Sequence, residues 1–415
     1  MVLPLLRPFP ALRPLADTVA EIAAPPYDVL NTEEARVKAE GKPLSFLHVS
    51  KPEIDLAPDT DPYAPEVYAK AAENFSRMID TGVMRRDGQP CFYIYRLVMG
   101  EQVQTGIVGA ASVEAYDTGR IRRHELTRPS KEDDRVHQIQ AVNGHTGPVM
   151  VAHRPNTAIK SIIEAQTTGA PDLDVSMDGV QHSIWVVSEA GAIKGLQDAF
   201  EAEEALYIAD GHHRSNSAVR VAKARREAAS DAQGDEWYES FLTVVFSSDE
   251  MRILDYNRVV ADLNGLAPAE LLSRIEKDFR VEKVSGEARP GKPREFGMYL
   301  GGEWYRLGVR DVPAPVPGDA VVGLDISLLT RLLLEPVLAI GDPRLDPRID
   351  FIGGIRGLGE LARRVDSGDA AVAFAIYPTS MEDLIDVSDA RQVMPPKSTW
   401  FEPKLADGLV ALMLD

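Results

Sequence analysis

Between Pro65 and Asp80 the apolar positions Tyr68, Ala71, Ala72, Phe75, Met78 and Ile79 return every three or four residues. That is the spacing of one helical face, and Gly82 follows where a C-cap belongs. From Cys91 to Val98 and from Val103 to Val113, apolar stretches flank the turn residues Met99-Gly100-Glu101, which predicts a hairpin. Short apolar runs predict strands at Ser45–Val49, Gly147–Ala152, Ser183–Val187, Ala205–Ala209, Phe241–Phe246, around Phe296–Leu307 and at Ala370–Ile376. Helical spacing returns at Ile193–Glu203, at Leu266–Asp278 and at Ser215–Glu227, where Ala218, Val221, Ala222 and Arg225 share a face. Asp325 is placed to cap a helix running through Leu338 and disturbed by Pro336. Thr379-x-x-Glu382 reads as a capping box. Pro4, Pro8, Pro10, Pro14, Pro25 and Pro26 predict an extended start wrapped on a surface, because each proline biases its predecessor away from helix. Pro313, Pro315, Pro317 and Gly318 read as a loop, and Pro395–Lys404 as a loop-like tail. Strands and helices interleave along the chain, so the class is α+β, a mixed α/β fold.

Composition narrows the function. The 415 residues are roughly two to three domains' worth of chain. With 44% hydrophobic and 26% charged residues, they have the balance of a globular protein. The net charge of −19 argues against a protein that coats nucleic acid, which needs a dense basic face. It leaves room for a local anion site. The single cysteine, Cys91, excludes an intrachain disulfide and a multi-cysteine metal site, and fits a reducing compartment. No apolar run reaches the roughly 18 residues of a membrane helix, so a cytoplasmic location with no membrane partner is the expectation.

Three segments concentrate reactive side chains. In Tyr207-Ile-Ala-Asp-Gly-His-His-Arg214 a short strand ends at Asp210-Gly211 and a helix begins near Ser215. Gly211 permits a tight turn, and the positive end of the helix attracts anions. His212, His213 and Arg214 add donors, and Arg214 has the fork that grips a phosphate; Asp210 suits Mg²⁺ or a substrate hydroxyl. The bland alternative is a strand–turn–helix joint with core histidines, which four charged or polar residues at one joint disfavour. In His124–Arg135, Glu125 is a candidate base, while His124, Thr127, Lys131 and Arg135, with Arg128, are candidates to meet substrate or phosphate. A salt-bridged surface is the competing account there. In Met394–Lys404, Pro395 and Pro396 fix the approach to Lys397, Ser398 and Thr399, a lysine and two hydroxyls suited to phosphate, though without the glycine pattern of a P-loop. Seven of the eight histidines lie between His124 and His213, which keeps a histidine-held metal open, yet neither H-x-x-x-H nor H-E-x-x-H spacing occurs. Ala24-Pro-Pro-Tyr-Asp28 and the loop around Gly353-Gly354 read as shaped loops of no assigned role.

Arg7-Pro-Phe9, Ala24–Asp28, Ser45-Phe-Leu-His48, His124-Glu125, Asp210–Arg214, Tyr256-Asn-Arg258 and Pro395–Thr399 together resemble the bacterial DUF1015 family over nearly the whole chain. A shorter resemblance runs through Ile208–Arg214, which is similar to the Asp-Gly-His-His-Arg motif of the archaeal free-serine kinases. His124-Glu125 resembles their upstream His-Glu pair and Pro395–Thr399 their C-terminal Ser-Pro-Lys-Thr-Thr segment, in the same order. This chain is far longer, and its motifs are spaced further apart.

That resemblance implies a ParB/sulfiredoxin-like core with an N-terminal extension, within residues 1–260, and a C-terminal α/β lobe over 261–415, with the active site expected at their interface. It implies phosphorylation of free L-serine to O-phosphoserine. Glu125 would serve as base, Asp210 would position the hydroxyl or Mg²⁺, and Gly211–Arg214 with Lys397, Ser398 and Thr399 would bind phosphates. The donor does not carry over from the archaeal enzymes, which use ADP; for this long form ATP is the expectation, ahead of ADP. The alternatives are a ParB-like nucleotide-binding regulatory protein and a metal-dependent hydrolase.

Overall fold

The computed structural model describes residues 3–229, 233–311 and 316–415, which divide into two compact units, Met1–Met251 with Pro403–Asp415, and Arg252–Glu402. The expected division lay at 260/261 with the tail in the second lobe. The tail instead returns to the first unit, where Asp407 bridges to Ala24, Ala411 to Leu12, and Leu412–Met413 pairs with Gly144–His145. Backbone pairing of this range leaves no mark in local sequence.

Among the described residues, the first unit is built on a nine-stranded mixed sheet. The strands run in the order Ile121–Arg122, Leu206–Asp210, Val149–His153, Ser240–Ser247, Gln102–Ser112, Phe92–Met99, Val180–Val187 and Leu173–Met177, with Leu6–Arg7 added alongside Gln102–Ser112. The predicted hairpin is present, with Met99 opposite Gln102 and every residue of Phe92–Leu97 except Arg96 buried, so this strand is covered on both faces. Leu206–Asp210 and Ser240–Ser247 flank Val149–His153, one antiparallel and one parallel. The register of Leu206–Asp210 slips between Ile208 and Asp210. Such an irregularity re-aims the side chain that follows it.

The helix Pro65–Asp80 has the predicted bounds, and Gly82 at φ +75° ends it. It packs over an apolar cluster containing Phe46, Leu47, Val49, Ala71, Phe75 and Met78. Here the expected strand Ser45–Val49 is a helical turn, Leu47–Ser50. The run is too short to show a period, and burial of Phe46, Leu47 and Val49 against this helix decides it. The Asn74 amide satisfies the His48 carbonyl at the end of that turn, at 2.7 Å.

Among the described residues, the second unit is built on an antiparallel six-stranded sheet, Phe279–Val284, Glu303–Val309, Glu295–Leu300, Val372–Ile376, Tyr256–Val260 and Ile349–Gly353. Leu358 and Leu361 of the helix Leu358–Asp366 pack with Val259, Ala373 and Ala375 of the sheet. Two caps differ from expectation. Asp325 is the first residue of the helix Asp325–Leu329, and its carboxylate accepts the Arg294 N–H at 2.8 and 2.9 Å instead. A π-helical turn, Thr330–Leu334, ends that helix before Pro336. The capping box sits one residue later than predicted, at Ser380 and Asp383. Pro313 and Pro315 lie outside the described residues. The class is mixed α and β, as expected.

Candidate active site

The strand Leu206–Asp210 passes directly into the helix His212–Ala228 through Gly211, whose φ of +95° suits a residue without a Cβ. The helix thus begins three residues before the predicted start, and His212, His213 and Arg214 form its first turn, at the positive end of the dipole.

Each side chain of this turn is held. Asp210 accepts the Lys404 ammonium at 2.7 Å and the Gly211 N–H at 2.8 Å. Burial pushes its pKa up, but the charges of Lys404 and Arg214 win and hold it well below the usual carboxylate range. Arg214, almost fully buried, donates to the Pro148 carbonyl at 2.6 Å and to Asp28 at 2.9 Å. Burial lowers its pKa, and Asp28, Tyr27, Asp210 and Asp407 more than reverse that. Its Nε is buried without a hydrogen-bond partner. The Tyr27 ring lies 5.5 Å from the Arg214 guanidinium and 3.9 Å from that of Arg135, which is paired with Asp134 at 2.8 Å. Burial pushes the Tyr27 phenol up to about 12.

The His124–Arg135 segment is fastened to the same helix. The Arg128 N–H donates to His213 Nε2 at 3.0 Å, which places the His213 proton on Nδ1. Asn216 donates to Thr127 at 3.2 Å, Thr127 donates to Glu132, and Ser217 donates to the Glu132 carbonyl at 3.0 Å. Burial raises Glu132, but the hydrogen bonds from Thr127, Asn216 and Arg220 keep it below its ordinary value. Lys131 lies apart from this network, on the Tyr63 hydroxyl at 2.7 Å.

His124 is buried with its ring 4.5 Å from that of His212, edge to face. Burial lowers His124 to about 4 and drives His212 well below its ordinary value, so both are neutral at pH 7. His212 Nε2 is buried without a hydrogen-bond partner, and its Nδ1 lies 3.7 Å from Glu125. The Glu125 side chain is 38% exposed, which leaves this carboxylate accessible to a ligand.

Of the sequence-predicted residues, Glu125, His124 and Arg128 therefore meet His212 and His213 of the turn, Thr127 meets Asn216 one turn further along the same helix, and Arg135 shares the Tyr27 ring with Arg214, all in the first unit. Lys397, Ser398 and Thr399 belong to the second. There the fully buried Arg258 donates to the carbonyls of Pro396 and Lys397, both at 3.0 Å. Thr379 donates to the Ser398 carbonyl at 2.9 Å, Ser398 Oγ donates to that of Pro395 at 2.6 Å, and Lys397 takes φ +57°. The Lys397 ammonium stands 5.7 Å over the Tyr256 ring.

Sequence reasoning missed Tyr27, Asp28, Lys404 and Asp407. The Ala24–Asp28 loop stood out with no role, and Lys404 ended the Met394–Lys404 segment without being assigned one. Asp407 is buried beside Arg214, and burial pushes its carboxyl up to about 7. A Cβ on Gly147 would sit 3.2 Å from Asp407 Oδ1 and 3.6 Å from Arg214 Cδ, so glycine keeps this space open.

The metal expectations fare differently. Asp210, expected to hold Mg²⁺, is engaged by an ammonium group among further positive charges, a donor set that does not fit a protein-held divalent cation. Among the described residues no three His, Cys, Asp or Glu side chains gather to hold a metal. Two of the histidines lie elsewhere, His182 on Tyr95 and His153 on the Arg154 carbonyl.

Fold and site together define a mixed α/β protein carrying a charged strand–turn–helix centre with an accessible carboxylate beside it. Residues 6–327 match the family model described as "Protein of unknown function (DUF1015)", and the chain belongs to that family. No curated protein matches it. Among solved structures, it is similar to a free serine kinase in complex with AMP, at 13% identity and TM-score 0.34, over 73% of this chain and 89% of that one. Others are C-terminally truncated SbnI from Staphylococcus aureus (12%, 0.37, 74% and 87%) and a conserved hypothetical protein from Pyrococcus furiosus (11%, 0.34, 75% and 96%). At these values no activity passes from them to this chain. Among the described residues no helix is long and apolar enough to cross a membrane.

Proposed function

We propose that this chain is a phosphotransferase acting on a small hydroxylated metabolite, with free L-serine as acceptor and a nucleotide, ATP ahead of ADP, as donor. The observation that carries the reading is the meeting of an accessible carboxylate, Glu125, with a turn where Arg214, Lys404 and a helix start concentrate positive charge around ionised Asp210. Phosphoryl transfer requires mainly in-line positioning and neutralisation of charge on the transferred group, and this set is suited to both.

In this proposal the helix start and Arg214 Nε receive the phosphates, and the His213 ring donates through Nδ1. Glu125 accepts the acceptor's hydroxyl proton. Asp210 is too strongly acidic to be that base, and its part is to hold Lys404 at the turn. Lys397, Ser398 and Thr399, in the second unit, are proposed as phosphate-binding groups on their own chemistry. Magnesium, where required, arrives on the nucleotide as part of the co-substrate.

The test incubates purified protein with L-serine, Mg²⁺ and ATP, ADP or pyrophosphate in parallel, and reads O-phosphoserine by mass spectrometry. Product with a nucleotide is expected. Absence of product with every donor removes serine as the acceptor.

A further inference from the structure

The sequence singles out Ser45-Phe-Leu-His48, a segment the proposed reaction does not use. In the structure His48 lines a cavity of about 500 Å³, with Leu44 and Met78 on its apolar side and Lys70, Asn74 and Arg77 along its polar side. That volume far exceeds a bare inorganic ion and matches the range of small-molecule sites. We propose that this cavity binds a small organic anion, a metabolite with a carboxylate or phosphate group on a compact body, at a site separate from the Asp210 turn.

Three features carry this. First, both ring nitrogens of His48 face acceptors, Asp55 Oδ1 at 2.7 Å and the Lys42 carbonyl at 3.1 Å. Two acceptors require two donors, so the ring is held as imidazolium, and the hydrogen bond to Asp55 is the main reason its pKa stands above the ordinary value. Second, Asn74, 1% exposed, donates to both the Asp55 carboxylate and the His48 carbonyl at 2.7 Å, and Arg77 donates to its Oδ1 at 2.8 Å. The polar wall is therefore a bonded network that fixes where the charges stand. Third, the charges lining the cavity are His48, Lys70 and Arg77 against Asp55 alone, a local positive excess in a chain of net charge −19. Glu73, 2.7 Å from Lys70, is the nearby acid that a ligand anion would displace. Leu44 and Met78 supply contact for the ligand's body.

The experiment uses the full chain and the Met78 methyl group as reporter. Methyl NMR spectra are recorded during titration with citrate and with glucose 6-phosphate, and Met78→Leu identifies the Met78 signal. The expected result is a saturable shift of that signal with at least one probe. The variant Lys70→Glu/Arg77→Glu should weaken the response at least tenfold, and rising NaCl should weaken it too, as for any charge-led association. A thermal melt of the variant near that of wild type shows that the fold survives. Should it fall, Lys70→Gln alone, which leaves the Arg77–Asn74 bond intact, must still weaken binding. No shift with either probe, or shifts equal in wild type and the charge variants, overturns the proposal.

Discussion

The Asp210–Arg214 turn and the Pro395–Thr399 loop are both rigid segments that present cations, but they are made rigid in opposite ways. In the turn the side chains are committed. Arg214 is bonded to Asp28 and Pro148, and Asp210 to Lys404. In the loop the backbone is committed, through Arg258, Thr379 and Ser398, while the Lys397 side chain makes a ring contact with Tyr256. A charge fixed by partners costs no reorganisation when an anion arrives, which suits electrostatic stabilisation. A long side chain on a fixed backbone can adapt to its ligand. The turn therefore couples function to stability, whereas the loop's lysine separates them.

That difference is open to attack. Arg214→Gln should produce the largest effect on activity, removing a buried charge from among three carboxylates and leaving Asp28 without its partner. A loss of about 3 kcal/mol is expected, at the low end for a broken pair because Asp28 keeps contact with solvent, together with loss of activity. Denaturant unfolding of the variant measures it, and an unchanged midpoint would break the contrast. Lys397→Ala should leave the melt unchanged but raise KM for the donor about tenfold to hundredfold, the worth of one charged hydrogen bond of roughly 1.5–3 kcal/mol. A destabilised Lys397→Ala would place the lysine among the structural groups.

The last effect is set by pH and concerns Asp407. Its pKa is pushed up to about 7 in the folded protein, so the native state holds a proton that the unfolded chain has released. The associated stability is full below about pH 4, declines as pH rises, and is gone above about pH 7. Asp407→Asn mimics the protonated form, so it should match wild type near pH 4 and melt higher than wild type near pH 8. Parallel thermal melts across that range check the sign. The buried histidines, such as His124 at about 4, work in the opposite direction but are common to both proteins.

How much of this was legible in sequence follows from distance along the chain. The turn and the Glu125 segment could be read because each concentrates its chemistry in a dozen residues or fewer. Their mutual partners could not. Arg214 meets Asp28 across 186 residues and Asp210 meets Lys404 across 194, and no spacing rule links such positions. The helix Pro65–Asp80 carried a full apolar stripe and was placed well. The Leu47–Ser50 turn carried none, and tertiary burial chose its form. The capping box at Ser380 was off by one because Thr379, Ser380, Glu382 and Asp383 offer overlapping boxes, and only the folded chain selects between them.

The central claim is that Glu125 and the Asp210 turn act as one centre, with the base on one segment and the phosphate site on the other. Single-turnover transfer from a γ-labelled nucleotide to L-serine, in wild type and Glu125→Gln, tests it most directly when nucleotide affinity is measured on the same samples. The account predicts unchanged nucleotide affinity and label transfer slowed about 10²–10⁴-fold, the usual contribution of a general base. Transfer at the wild-type rate in Glu125→Gln would contradict it.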